Sequence, residues 1–301
     1  MTEPVTVIIP AYNRAKTLGR AVDSVLTQSF KDFKLLIVDD GSQDRTLQIA
    51  QSYQDSRIRC IAHSSNMGSG AARNTGIQEA TTKWLAFLDS DDFWHADKLR
   101  TQMDFIEQHP NIMGCTTGYF HVRENGTKQI IPSARQAEHR QVLFHDILHM
   151  GTTLLVRREA FERLGGFDPA LSRGQDNDWL LRLTAVERLS VVPHPLAWVF
   201  QHTQRSAERL ENSRIIMLEK HAADYARYGY LFAHRKIAHM WADVAYQYER
   251  EGNRSKMREY AMKSLFSFPL QAPGIYLILL DALTGLRIKS LATGLKKKVV
   301  K

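Results

Sequence analysis

The sequence predicts an α/β protein: an open, Rossmann-like, mainly parallel sheet with helices on both faces, followed by a C-terminal helical region. Three observations predict it. Short apolar runs alternate with helix-spaced apolar residues over the first hundred positions, the order that builds parallel sheets. Polar clusters close several of those runs, at the carboxyl strand ends where such sheets bind ligands. Strand signals cease near Glu208. A length of 301 residues suits two domains, divided here at 1–206 and 207–301.

Val5-Thr6-Val7-Ile8-Ile9 has no polar face and reads as a strand covered on both sides. Leu18, Val22, Val25 and Leu26 recur at helical spacing. Leu35-Leu36-Ile37-Val38 is a second strand, ending at Asp39-Asp40-Gly41-Ser42, and the next helix carries Leu47, Ile49 and Ala50 with Asp44 as its N-cap. Arg57 to Ala62 is a third strand, Ala71 to Ala80 a helix, and Trp84 to Leu88 a fourth strand, ending at Asp89-Ser90-Asp91-Asp92. Further strands are expected at Ile112 to Val122, Thr153 to Val156 and Leu196 to Gln201. A helix begins near Asp176 and carries Trp179, Leu180 and Leu183, and Gly165 to Pro169 is a turn. In the last third, Trp241, Val244, Ala245, Tyr248, Gly252, Ala261, Ser264 and Pro269 fall at the spacing of one tetratricopeptide-like helical hairpin.

Composition narrows the function classes. Hydrophobic residues at 44% and charged residues at 24% match soluble globular proteins and exclude a disordered or collagen-like chain. The formal charge of +8 is compatible with a nucleic acid, an anionic membrane or a phosphorylated ligand. The basic residues Arg287, Lys289, Lys296, Lys297, Lys298 and Lys301 gather in the last 15 positions without an acid, so they read as an interfacial basic helix or a solvated tail, not as a nucleic-acid surface interleaved with aromatics. Cys60 and Cys115 read as two small buried thiols. No signal peptide is recognisable, and the longest apolar run, Ile275 to Leu280, falls short of the roughly 18 residues of a membrane span. The expected location is the cytoplasm, or the inner face of the plasma membrane as a peripheral protein.

Asp89-Ser90-Asp91-Asp92 is the feature richest in chemistry. Crowded carboxylates raise one another's pKa unless a cation neutralises them, and Mg²⁺ or Mn²⁺ commonly shares such carboxylates with substrate phosphates. Alone, the cluster is equally a helix cap. It occurs, however, in order with Pro10-Ala11-Tyr12-Asn13-Arg14, Val38-Asp39-Asp40-Gly41-Ser42, Asn66-Met67-Gly68 and Ala72-Arg73-Asn74, and before Gly166-Phe167-Asp168, Gln175-Asp176 with Asp178, and Phe200-Gln201-His202 with Ser206. Over about residues 4 to 206 the sequence closely resembles the family 2 glycosyltransferases of the GT-A fold.

The resemblance implies an inverting, metal-dependent glycosyltransferase that takes a sugar from a nucleotide diphospho-sugar, most often a UDP-sugar. Tyr12 would wall the uracil, and Asp40, or its neighbour Asp39, would accept the uracil imide hydrogen. Arg73 would reach the base or diphosphate, with Pro10, Asn13 and Ser90 in the same nucleotide-sugar site. Asp89 would contact the ribose or a metal-bound water, and Asp91 would hold the Mn²⁺ or Mg²⁺, assisted by Asp92 and His202. Asp176 would be the general base, with Asp178 the second choice. Gln175 and Gln201 depart from the family's Glu and Arg. The implied acceptor is a glycan or lipid-linked saccharide of a cell-surface polysaccharide or lipopolysaccharide. The competing reading is a catalytically degenerate GT-A fold serving as a scaffold. A nucleotidyltransferase or a dinucleotide dehydrogenase is disfavoured, because no Gly-rich phosphate loop follows the first strand.

Overall fold

The computed structural model describes residues 3–123, 126–130, 136–144, 149–200 and 206–269. The chain falls into two compact units, 1–202 and 203–301. The first opens with β1 (Val5–Ala11), α1 (Leu18–Leu26), β2 (Phe33–Asp39), α2 (Thr46–Gln51), β3 (Ile58–Ala62), α3 (Ser69–Glu79) and β4 (Trp84–Phe87). It continues with β5 (Phe93–Trp94), α4 (Lys98–Gln108), β6 (Gly114–Arg123), β7 (Gly126–Ile130), β8 (Gln136–Ala137), α5 (His139–Phe144) and α6 (Met150–Thr153). It closes with β9 (Leu155–Arg157), α7 (Arg158–Leu164), α8 (Gln175–Val186) and β10 (Leu189–Phe200).

The strands form one sheet in the order β3-β2-β1-β4-β9-β6-β10-β5, with β7 beside β6 and β8 beside β10. β3, β2, β1 and β4 are mutually parallel. The other half makes the sheet mixed: β9 runs antiparallel to β4 and β6, and β10 runs parallel to β6 but antiparallel to β5. The order reverses at β1, which has β2 on one side and β4 on the other. That switch point leaves a crevice at the carboxyl ends of β1, β2 and β4.

The apolar runs read from the sequence build this frame. Leu18, Ala21, Val22 and Val25 form one stripe of α1 and pack with Val5, Val7, Ile9, Leu35 and Ile37. On the opposite face α3 lies so close to β1 that a Cβ at Gly76 would stand 2.5 Å from Ile8 Cγ2. Phe161 stacks on the buried Trp179 at 4.1 Å, which fastens α7 to α8; such a pair adds about 0.5–1.5 kcal/mol beyond its buried area. Cys115 is buried, Cys60 half-buried, and both are free thiols.

Three local expectations are corrected, at Thr153, at Asp44 and in the extent of β10. Thr153 belongs to α6, not to the following strand, because its amide and hydroxyl both turn back to the His149 carbonyl oxygen. Asp44 is not the N-cap of α2, a position held by Arg45. Its carboxylate instead accepts from the Thr46 and Ala15 amides, tying the loops after β2 and β1 together. Gly174, at φ 73°, takes the N-cap position of α8, so Asp176 stands in the first turn. β10 is longer than expected, with register shifts at Pro195, where the missing N–H breaks the ladder; Gln201 lies outside the described residues.

The second unit contains α9 (Ala207–Lys220), α10 (Ala222–Arg227), α11 (Tyr230–Arg250) and α12 (Arg254–Ser267). α11 and α12 are the hairpin read from the sequence, and α9 supplies the neighbour that a lone hairpin lacks. Ala207, Val244, Ala245, Tyr248, Met257, Tyr260 and Ala261 share one core. Glu211 on α9 accepts the hydroxyls of Tyr248 and Tyr260 and the Lys256 amine. No helix among the described residues is long and apolar enough to cross a membrane. The basic residues of the final 15 positions lie outside the described residues.

Candidate active site

The loop after β1 is built to turn sharply and stay fixed. Asn13 adopts φ 52°, a left-handed conformation that Asn tolerates better than most residues. Its amide donates to Ser42 Oγ at 2.9 Å, and its Oδ1 accepts from the Gln43 amide at 2.9 Å. These bonds lock the β1 and β2 loops side by side and leave Tyr12 exposed between solvent and crevice. Pro10 precedes the turn, still within β1. Gly41, at φ 71°, is held so near Ser65 that a Cβ would stand 2.5 Å from its carbonyl carbon.

The two aspartates closing β2 have different work. Asp40 is buried and engaged: Oδ1 meets His63 Nδ1 at 2.8 Å and accepts the Met67 amide, while Oδ2 accepts the Gly68 amide. It organises the approach to α3. Asp39 is equally buried; its Oδ2 accepts the Ser42 amide at 3.0 Å, and its Oδ1 has no hydrogen-bond partner among the described residues. A buried, unsatisfied carboxylate oxygen is costly.

Arg73 on α3 is the electrostatic centre. Its Nη2 donates to Asp89 Oδ1 at 2.5 Å, its guanidinium lies over the Phe167 ring, and Nε is buried without a partner among the described residues. Burial works against its charge, but Asp89, Asp176 and Asp91 outweigh burial and raise its pKa. The same balance holds at Asp89, where burial is outweighed by Arg73, His149 and Arg14 and the carboxyl sits below the usual range. Asp92 goes the other way: burial, reinforced by Asp89 and Asp91, pushes it well above that range. Its Oδ1 accepts the Phe200 amide and its Oδ2 the Thr152 hydroxyl. Ser90 is buried in the same loop.

α8 brings the remaining carboxylates. Asp176 is half-buried and close enough to Arg73 to act on its charge. Asp178 is fully buried and paired with Arg182, which also donates to the Leu164 and Gly166 carbonyl oxygens; it braces the Gly165–Phe167 turn. Gln175, also buried, donates to Ser69 Oγ at 3.2 Å and links α8 to the start of α3. Asn74 completes the link by bonding both the amide and the carbonyl oxygen of Phe167.

Asp89, Asp91 and Asp176 thus gather around Arg73, Asp39 closes β2 on the same carboxyl edge of the sheet, and His202 lies outside the described residues. Several neighbours are given no role by the sequence. His149 joins Asp89 and Asp92 in a group whose ligand atoms lie within 4.8 Å of one another, and its Nδ1 is buried without a partner among the described residues. At Gly151 a Cβ would stand 2.6 Å from Asp89 Oδ2. Arg14 and Arg20 both reach Asp91. Carboxylate oxygens with one imidazole suit a divalent cation such as Mg²⁺ or Mn²⁺, so these residues fit the metal that the resemblance implies.

Comparison with known proteins bears on the family and the fold. A Rickettsia felis protein described as an uncharacterized glycosyltransferase is 44% identical over 123 residues, covering 40% of this chain and 20% of its own. The Escherichia coli protein WfaP, a UDP-Glc:alpha-D-GlcNAc-diphosphoundecaprenol beta-1,3-glucosyltransferase, is 41% identical over 105 residues, 35% of this chain and 42% of its own. The chain therefore spans less than half the length of either relative. Among solved structures, S. aureus TarS 1-349 in complex with UDP-GlcNAc superposes with a TM-score of 0.63 at 19% identity, covering 96% of this chain and 92% of that one. The fold is accordingly GT-A with an added helical region. Residues 6–165, more than half of the chain, match the family described as Glycosyl transferase family 2, and the chain belongs to that family.

Proposed function

We propose that the protein is an inverting, metal-dependent glycosyltransferase that moves a sugar from a UDP-sugar to a glycan or polyprenyl-linked saccharide in cell-surface polysaccharide or lipopolysaccharide synthesis. The observation that carries this reading is the gathering of Asp89, Asp91 and Asp176 around Arg73, with a buried, unsatisfied acceptor at Asp39 on the same carboxyl edge of the sheet. Uracil offers one imide N–H, and Asp39 Oδ1 is the oxygen that needs one. Asp40 is already engaged, so of the two aspartates Asp39 takes the base. Tyr12 walls the ring, with Pro10 and Asn13 shaping the turn beneath it. Asp89, held by Arg73, takes the ribose, and Ser90 supports its loop. Asp91 and Asp89 would hold the cation, with Asp92, His149 and His202 as further candidates.

Asp176 acts as general base. It removes the proton of an acceptor hydroxyl as that oxygen attacks the anomeric carbon from the face opposite the diphosphate. One bond forms and one breaks in a single displacement, so the anomeric configuration inverts. The divalent cation, when bound, neutralises charge growing on the departing UDP. Arg73 supplies fixed positive charge beside the carboxylates, so the diphosphate meets less repulsion than three aspartates alone would create. The WfaP name specifies UDP-Glc and a diphosphoundecaprenol-linked GlcNAc, which supports this donor and acceptor class. A lipid-linked acceptor also suits a peripheral position on the cytosolic leaflet, where each basic residue of the C-terminal tail contributes about 1 kcal/mol near anionic lipid.

Calorimetric titration of UDP, with and without Mn²⁺, tests the reading on the wild type and on Asp91→Ala. Metal-dependent binding that disappears in the variant is the expected result. Absence of UDP binding by the wild type under both conditions would refute the UDP-sugar assignment and favour another nucleotide or the scaffold reading, which Gln175 alone supports.

A further inference from the structure

Asp91 is held by two arginines from the same stretch of chain, and they hold it differently. Arg20 Nη2 donates to the Asp91 main-chain oxygen at 2.5 Å. Its guanidinium packs over the rings of Phe200 at 4.1 Å and Phe93 at 5.0 Å. Phe93 stacks on Trp198 at 4.7 Å, and Trp198 on Phe120 at 5.0 Å, a row set by the register of β5, β10 and β6. Arg20 is therefore wedged at the end of an aromatic stack and grips a backbone atom that no ligand displaces.

Arg14 has a fixed root and a loosely held head. Its amide donates to Thr46 Oγ1 at 2.7 Å, beside the locked Asn13 turn. Its guanidinium meets the Asp91 carboxylate at 3.3 Å, with the side chain 39% exposed. Its two other bonds, to the Tyr12 and Asn13 carbonyl oxygens, are 3.4 Å long, beyond the usual range for N–H···O. A half-exposed ion pair of this kind is weak and readily exchanged.

On the donor-site reading above, a divalent cation takes the Asp91 carboxylate, and a guanidinium on the same oxygens opposes it by like-charge repulsion. Once displaced, a guanidinium rooted at the β1 turn stays within reach of whatever anion accompanies the cation, and its forked donors match phosphate oxygens. We propose that Arg14 is an exchangeable counter-ion: it neutralises Asp91 before the donor arrives, then yields that carboxylate to the cation and pairs with the diphosphate. This inference rests on the donor-site reading above and assigns Arg14 a role that reverses sign between the two states.

That sign reversal is measurable. Mn²⁺ binding to the full chain is followed by the loss of the free-ion paramagnetic resonance signal, and UDP binding at saturating Mn²⁺ by calorimetry, in the wild type, Arg14→Gln, Arg14→Ala and Arg20→Gln. Both Arg14 variants should bind Mn²⁺ alone roughly two- to fivefold more tightly, the scale of an exposed ion pair. They should bind UDP roughly ten- to hundredfold more weakly, the scale of a lost charge-assisted bond. Arg20→Gln should weaken both, because it loosens the Asp91 backbone. Weaker or unchanged Mn²⁺ binding in both Arg14 variants, with wild-type UDP and Mn²⁺ binding intact, would overturn the counter-ion role and leave the donor site standing. Failure of the wild type to bind either ligand would overturn both.

Discussion

Replacing Lys98 with methionine should stabilise the protein at neutral pH and flatten part of its pH dependence. Lys98 opens α4 and is fully buried, with its amine 2.6 Å from Gln102 Oε1 and 4.0 Å above the Trp94 ring. A cation at the positive end of a helix gains nothing from the dipole. Burial, only partly countered by Cys115, brings its pKa from 10.5 down to about 7. At 1.36 kcal/mol per pH unit, that is a penalty of about 5 kcal/mol on the charged form. Between about pH 7 and 10.5 the unfolded chain holds a proton that the native state lacks, so stability rises with pH across this window. Below about pH 7 both states are protonated and the penalty is complete. Methionine has a similar length and packs well on aromatic rings. Urea unfolding followed by tryptophan fluorescence should show Lys98→Met more stable at pH 7, with an advantage that shrinks by about 2 kcal/mol on going to pH 9. A difference constant from pH 7 to 9 would refute the reasoning. The site shares this network, because Gln102 donates to the Thr153 carbonyl oxygen and Trp94 to that of Thr152, whose hydroxyl holds Asp92.

Three further outcomes are expected. Gly151→Ala pushes a methyl group to within 2.6 Å of Asp89 Oδ2; UDP affinity measured by calorimetry should fall about tenfold, the effect of misplacing one charge-assisted contact, while circular dichroism stays unchanged. Asp39→Asn removes a buried charge with an unsatisfied oxygen, so the unfolding temperature without ligand should rise, while the added stabilisation by UDP drops by about 1–3 kcal/mol. Glu211→Gln weakens the bonds from Tyr248, Tyr260 and Lys256 and should destabilise the C-terminal helices by about 2 kcal/mol in thermal melts at pH 7. Burial raises the Glu211 pKa, but those three partners outweigh it and hold the carboxyl below its usual 4.5. That stabilisation is present above about pH 4.5 and lost as pH falls, so the wild type and variant should converge in acid.

The core of the parallel half was legible because β1, β2 and β4 contain apolar runs covered on both faces, and the runs Val5 to Ile9 and Leu35 to Val38 carry that pattern in consecutive residues. The hairpin of α11 and α12 was legible for a different reason, the helical spacing of Trp241, Val244, Ala245 and Tyr248. The antiparallel half was less so: β9 is three residues long, and α6 is a single turn set by bonds to the His149 carbonyl oxygen, which no periodicity records.

At the site, sequence alone determined the positions of the strand-end acids, because a motif held in one short segment is a local property. It put Asp40 ahead of its neighbour Asp39 for the base, and it gave Arg14, Arg20, His149 and Gly151 no role. Only the tertiary structure separated the two aspartates by their partners, turning the His63 ring and the Met67 and Gly68 amides onto one of them. It likewise surrounded Arg73 with carboxylates from the loop after β4 and from α8, segments distant in sequence. Charge, burial and hydrogen-bond supply at an atom depend on neighbours distant in sequence, so the chemistry of these residues became specific only when the fold brought those neighbours together.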